Sequence, residues 1–84
     1  MALQGQPLPS KDNAGSAIME IIVNGRAREA AEDLTIAELL EELQLSDKPV
    51  AVEVNLQLVP KGRHAEHRLS AGDRLEIVTL VGGG

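Results

Sequence analysis

The sequence predicts an α+β domain in which one helix lies across a small mixed sheet. Three observations predict it. The segment from Leu34 to Leu45 repeats its apolar residues with a helical period. Short runs rich in Val and Ile stand on both sides of it. The chain has 84 residues, enough for one small domain.

The elements follow in order. Residues 1–17, MALQGQPLPSKDNAGSA, show no period and are rich in Gly, Pro, Ser, Asn and Gln, so they read as a disordered leader, native or added. The domain is expected over residues 18–81, with order beginning near Ile18 or Met19. MEIIV (19–23) is a strand rich in β-branched residues. Asn24-Gly25 suits a type I′ turn, because both residues tolerate positive φ. RAREAAE (26–32) is then the return strand of a hairpin.

LTIAELLEELQL (34–45) is the helical segment. Thr35 is expected as N-cap with Glu38 at N3, a capping box, and Leu34 with Leu39 forms a hydrophobic staple. Ile36, Leu39, Leu40 and Leu43 make one apolar face, with Glu38, Glu41 and Glu42 off it. SDKP (46–49) breaks the helix, since Pro49 disfavours helical geometry at Lys48. VAVEVN (50–55) is a third strand with Val50, Val52 and Val54 on one face, and LQLVP (56–60) reads as a short continuation. KGRHAEHR (61–68) is a polar connection and SAGD (70–73) a turn. The last strand runs from Leu75 to Val81, and Gly82, Gly83 and Gly84 follow as a flexible tail.

Composition narrows the function. The chain has no Cys, Phe, Trp or Tyr, so its core is aliphatic and no disulfide or Cys-ligated metal is available. A net charge of −5 and the lack of stacking aromatics argue against nucleic acid. No apolar run reaches the ~20 residues of a membrane span, and no secretory signal opens the chain. The expectation is a cytoplasmic protein.

Candidate catalytic and metal sites are poor. His64-x-x-His67 has ligand spacing but no third ligand, and reads as a solvated loop. Lys61, Arg63 and Arg68 form a basic patch, also read as solvated. Glu38, Glu41 and Glu42 are an exposed helix face without a pocket to tune their acidity. No catalytic residue and no metal ligand is assigned. What remains is the tail. Three glycines can enter a space where side chains would clash, and extended they reach about 10 Å beyond the sheet. The reactive group there is the Gly84 α-carboxylate. It becomes useful only if another protein activates it.

Taken together, MEIIVNG, TIAELLEEL, VAVEVNLQLVP and GDRLEIVTLVGGG resemble the thiamine-biosynthesis sulfur carrier family (ThiS-like), of the ubiquitin-like β-grasp fold. The resemblance covers Met19 to Gly84. It implies that an ATP-dependent adenylating enzyme of the ubiquitin-activating type adenylates the Gly84 carboxylate. Sulfur from a partner's persulfide then leaves a C-terminal thiocarboxylate, and a thiazole synthase takes that sulfur. The chain itself binds no cofactor; ATP and the sulfur donor belong to its partners. Such folds also imply an apolar patch near the tail. Val78 and Leu80 share a strand face opposite Ile77 and Val81, and Leu80 is the expected exposed anchor. Gly82, a third glycine where the family needs two, acts as spacer. Three rivals share the fold: the small subunit of molybdopterin synthase, a ubiquitin-like protein modifier, and a β-grasp interaction domain without terminal chemistry. The aromatic-free sequence and the TLVGGG ending disfavour the first.

Overall fold

The computed structural model describes residues 17–80. Residues 1–16 and 81–84, which hold nearly all of the expected leader and the glycine tail, lie outside the described residues. The elements are β1 (Ile18–Val23), β2 (Arg26–Ala31), α1 (Ile36–Glu42), β3 (Val50–Val54), β4 (Gln57–Val59), a 3-10 turn (Lys61–Arg63) and β5 (Arg74–Thr79). The strands form one sheet in the order β2-β1-β5-β3-β4. Only β1 and β5 are parallel; the other neighbours are antiparallel. The last strand therefore lies in the middle of the sheet.

Turn chemistry explains the first hairpin. Asn24 and Gly25 have φ of 51° and 84°, the left-handed pair a type I′ turn requires. The return strand ends at Ala31, one residue short of the expected Glu32. Ala17, placed with the leader by composition, already holds the Glu32 N–H on its carbonyl at 2.9 Å.

The helix starts as its sequence predicts. The Glu38 N–H donates to Thr35 Oγ1 at 3.1 Å, and the Thr35 N–H donates to Glu38 Oε1 at 2.9 Å. Two more first-turn donors are held by a distant loop: the Ile36 N–H by the His67 carbonyl at 3.1 Å and the Ala37 N–H by the His64 carbonyl at 2.9 Å. Nearly all the free amides of the helix start are thus occupied. The helix stops before the expected Leu45. Gln44 takes a left-handed φ of 61°. The Leu45 N–H returns to the Leu40 carbonyl at 2.7 Å and the Gln44 N–H to Glu41 at 3.0 Å, a Schellman closure. Leu43 and Leu45 still pack against the core.

The core forms where the helix face meets the sheet. Ile36 and Leu39 are fully buried with Ile21 of β1 and Val52 of β3, and Leu75 of β5 is 1% exposed. Thr35→Ala should destabilise the domain by about 1 kcal/mol, because only the Glu38 N–H loses its partner. A denaturant midpoint unchanged by that substitution would show that the cap contributes nothing.

Two expectations are corrected. LQLVP does not continue β3. The chain reverses at Asn55 and Leu56, with φ of 52° and 72°, and Gln57–Val59 pairs back on β3. Leucine strongly disfavours that conformation, at about 1–2 kcal/mol, so residue type hides the turn. His64 is not solvated. It is 6% exposed, and its Nε2 donates to the Val59 carbonyl at 2.9 Å. The loop carrying it is folded over the helix start, which draws the ring inward.

Candidate functional site

β5 leads the described chain to its last residue, Leu80. Toward β3, β5 pairs along its full length, from Val54 opposite Leu75 to Val50 opposite Thr79. One further bond, from the Leu80 N–H to the Pro49 carbonyl at 2.8 Å, fastens the chain just past the strand. On the other side β1 contributes two paired positions, Ile22 with Arg74 and Val23 with Leu75. Asn24 extends that side with its side chain: Oδ1 accepts the Ile77 N–H at 2.8 Å and Nδ2 donates to the Ile77 carbonyl at 3.2 Å. The direction of the chain is thus fixed up to Leu80. Gly82, Gly83 and Gly84 lie outside the described residues.

The outer face of the sheet carries exposed apolar side chains. Val78 is 54% and Leu80 48% exposed, while Ile77 on the opposite face is buried. Cross-strand neighbours share a face. Ala51 stands opposite Val78, and Glu53 stands between Glu76 on β5 and Leu58 on β4. Leu58 is 65% exposed and belongs to the same face. Sequence reasoning missed Leu58 because β4 was not recognised. Glu53 and Glu76 are like charges directly opposite each other, an arrangement that weakens a sheet. No cation within the described residues forms a salt bridge with either.

The remaining candidates lie elsewhere. Arg63 and Arg68 are exposed, with Glu66 at 3.6 Å and Asp33 at 3.9 Å as loose partners. They line an open groove at the Val54–Asn55 end of β3, whereas Leu80 lies at the Pro49–Val50 end. Glu42 accepts from Arg28 at 3.1 Å, and Glu38 serves the cap. Among the described residues, no three His, Asp or Glu side chains converge as a metal site. No helix of the described residues is long and apolar enough to cross a membrane.

The ThiS family model matches residues 21–84, which takes in β5 and the glycines. The chain belongs to the ThiS family. Among curated relatives, it is 33% identical over 66 residues to the sulfur carrier protein ThiS of Escherichia coli, covering 79% of this chain and 100% of that one. It is 42% identical over 66 residues to a thiazole synthase of Paramagnetospirillum magneticum. There the match covers 79% of this chain but only 20% of the relative. A crystal structure of ThiS from Geobacter metallireducens superposes with a TM-score of 0.68 at 30% identity, covering 79% of this chain and 100% of that one. The five-stranded mixed sheet packed against α1 is thus the ubiquitin-like β-grasp fold of ThiS.

Proposed function

We propose that this chain is the sulfur carrier of thiamine biosynthesis, with the Gly84 carboxylate as the carrying group. The observation that supports it most is the extent of the family match, which runs through the terminal glycines to residue 84. The fold supports it too, since β5 and its neighbours fix the backbone up to Leu80, four residues before Gly84. In the proposed reaction a partner's active site holds the carboxylate against ATP. A carboxylate oxygen attacks the α-phosphorus, and pyrophosphate leaves. The resulting acyl adenylate accepts the terminal sulfur of a partner's persulfide at its carbonyl carbon, and AMP leaves. A thiol then cleaves the acyl disulfide, and the thiocarboxylate remains on Gly84. Thiazole synthase takes that sulfur. The relatives named thiazole synthase, in which the matching stretch is about a fifth of the chain, support that partner. The protein is then a cytoplasmic co-substrate and not a catalyst, and it binds neither ATP nor the sulfur donor itself.

The outer face of β5 serves docking. An apolar pair of Val78 and Leu80, with Glu76 and Glu53 next to it and Leu58 on the far side of Glu53, fits a partner surface that is apolar with basic side chains beside it. Leu80→Glu should weaken binding to the adenylating enzyme at least ~10-fold while the domain stays folded, because the side chain is half exposed. Unfolding of that variant would place Leu80 in the core and move the docking patch elsewhere. The direct test of the reading is intact mass after incubation with an adenylating enzyme, ATP and a sulfur source. Exchange of one oxygen for one sulfur at the C-terminus is expected. An unchanged mass with an enzyme that binds the chain would refute it.

A further inference from the structure

β5 is bonded on one side along its length and on the other only in part. Its even-numbered residues face β3: Arg74 accepts from the Asn55 N–H at 2.7 Å, and the Leu80 N–H donates to Pro49 at 2.8 Å. Its odd-numbered residues face β1. The Ile22 N–H donates to Asp73 at 2.9 Å and the Asn24 N–H to Leu75 at 2.8 Å. There β1 ends, because the chain reverses at Asn24 and Gly25. The next rung, at Ile77, is made by the Asn24 side chain. A primary amide offers a donor and an acceptor side by side, much as a peptide group does. Thr79 follows with the same parity. Its N–H and C=O point to the β1 side, beyond the reach of Asn24, and no described residue hydrogen-bonds to them. The open edge therefore begins at the last residue of β5, immediately before the chain runs on toward the glycines.

We infer that the enzyme which takes the tail adds an extended strand of its own to this edge, continuing from Thr79 the ladder that β1 and Asn24 begin. The inference rests on the carrier reading above. Strand addition draws its affinity from main-chain hydrogen bonds, so it grips a segment that has little side chain to offer. It also fixes the direction of the backbone just before the glycines, where aim decides whether the carboxylate meets the nucleotide. Asn24 is thus a positioning residue: it holds Ile77 in strand geometry up to the point where the partner strand takes over.

Two variants isolate the backbone donor. Thr79→Pro removes the N–H on the open side, and the β3 ladder does not use it; proline is tolerated at such an edge. Thr79→Ala removes the side chain and keeps the N–H. Binding to the adenylating enzyme should be about tenfold weaker for the proline variant than for the alanine variant, as for one lost hydrogen bond. Circular dichroism checks that both are folded. Independently, the Thr79 amide of the unaltered protein should exchange with deuterium at least ~10-fold more slowly once the enzyme is bound, as expected when an open amide joins a ladder. Equal affinities of the two variants, or an amide that exchanges as fast in the complex as in the free protein, would overturn the inference. So would Thr79 protection that rises with protein concentration without enzyme, which would assign the edge to a second copy of the chain. Both readouts report binding and not sulfur transfer, so a failure of the carrier chemistry is seen separately in the intact mass.

Discussion

Leu39→Ala is expected to cost about 2–5 kcal/mol, enough to threaten the domain. Leu39 is fully buried on the face of α1 that meets the sheet. The chain has no aromatic side chain, so its core is a set of small and medium aliphatic groups. Each of them holds a larger share of the buried area than it would beside a Trp or Phe. Removing the isobutyl end loses its transfer free energy and leaves a cavity that the strand backbone cannot close. A domain of this length has total stability of only ~3–10 kcal/mol at roughly 0.05–0.15 kcal/mol per residue. The substitution should therefore shift the urea midpoint far below that of Thr35→Ala, which loses one cap oxygen at the surface. A larger loss from Thr35→Ala than from Leu39→Ala would mean that the apolar face of α1 does not carry the core.

The first hairpin and the helix were legible because their signals are local. Asn24-Gly25 states its turn type in two residues, and the capping box is written in Thr35 and Glu38. The burial of Ile36, Leu39 and Leu40 follows from spacing alone. Where tertiary structure decides, sequence was silent or misleading. Leu56 stands in a left-handed turn that leucine disfavours, so the β3–β4 hairpin read as one strand. His64 sits in a polar stretch, but that stretch supplies carbonyls to the helix start and is folded down onto it. Of the candidate patch, Val78 and Leu80 follow from strand parity, since Leu75 and Ile77 take the inner face. Leu58 did not, because its strand was missed. The amide rung from Asn24 to Ile77 joins residues far apart in the chain and has no signature in either neighbourhood.

Deleting Gly83 and Gly84 should abolish thiocarboxylate formation and leave the fold intact. The described structure is fastened up to Leu80, whose N–H rests on the Pro49 carbonyl. Ile77 is the last buried residue of this strand among the described residues, and a glycine has no side chain to add to an aliphatic core. Thermal unfolding of the truncated protein should therefore match that of the full chain. The chemistry should not survive, because the carboxylate retreats by about 7 Å at roughly 3.3 Å per extended residue. Adenylation needs the attacking oxygen within about 3.5 Å of the α-phosphorus, and no side chain of the carrier can replace it there. The truncated chain should still compete for the adenylating enzyme, because Val78, Leu80 and Leu58 remain on the outer face. A C-terminal tag should be equally inactive for a different reason: it turns the Gly84 carboxylate into an amide, which does not attack ATP. An N-terminal tag should have no effect, since residues 1–16 precede the first strand and the family match begins at Ile21. Intact mass reads all three proteins in one experiment. Full sulfur transfer to the truncated chain, or to a C-terminally tagged chain that keeps its tag, would take the reaction away from Gly84.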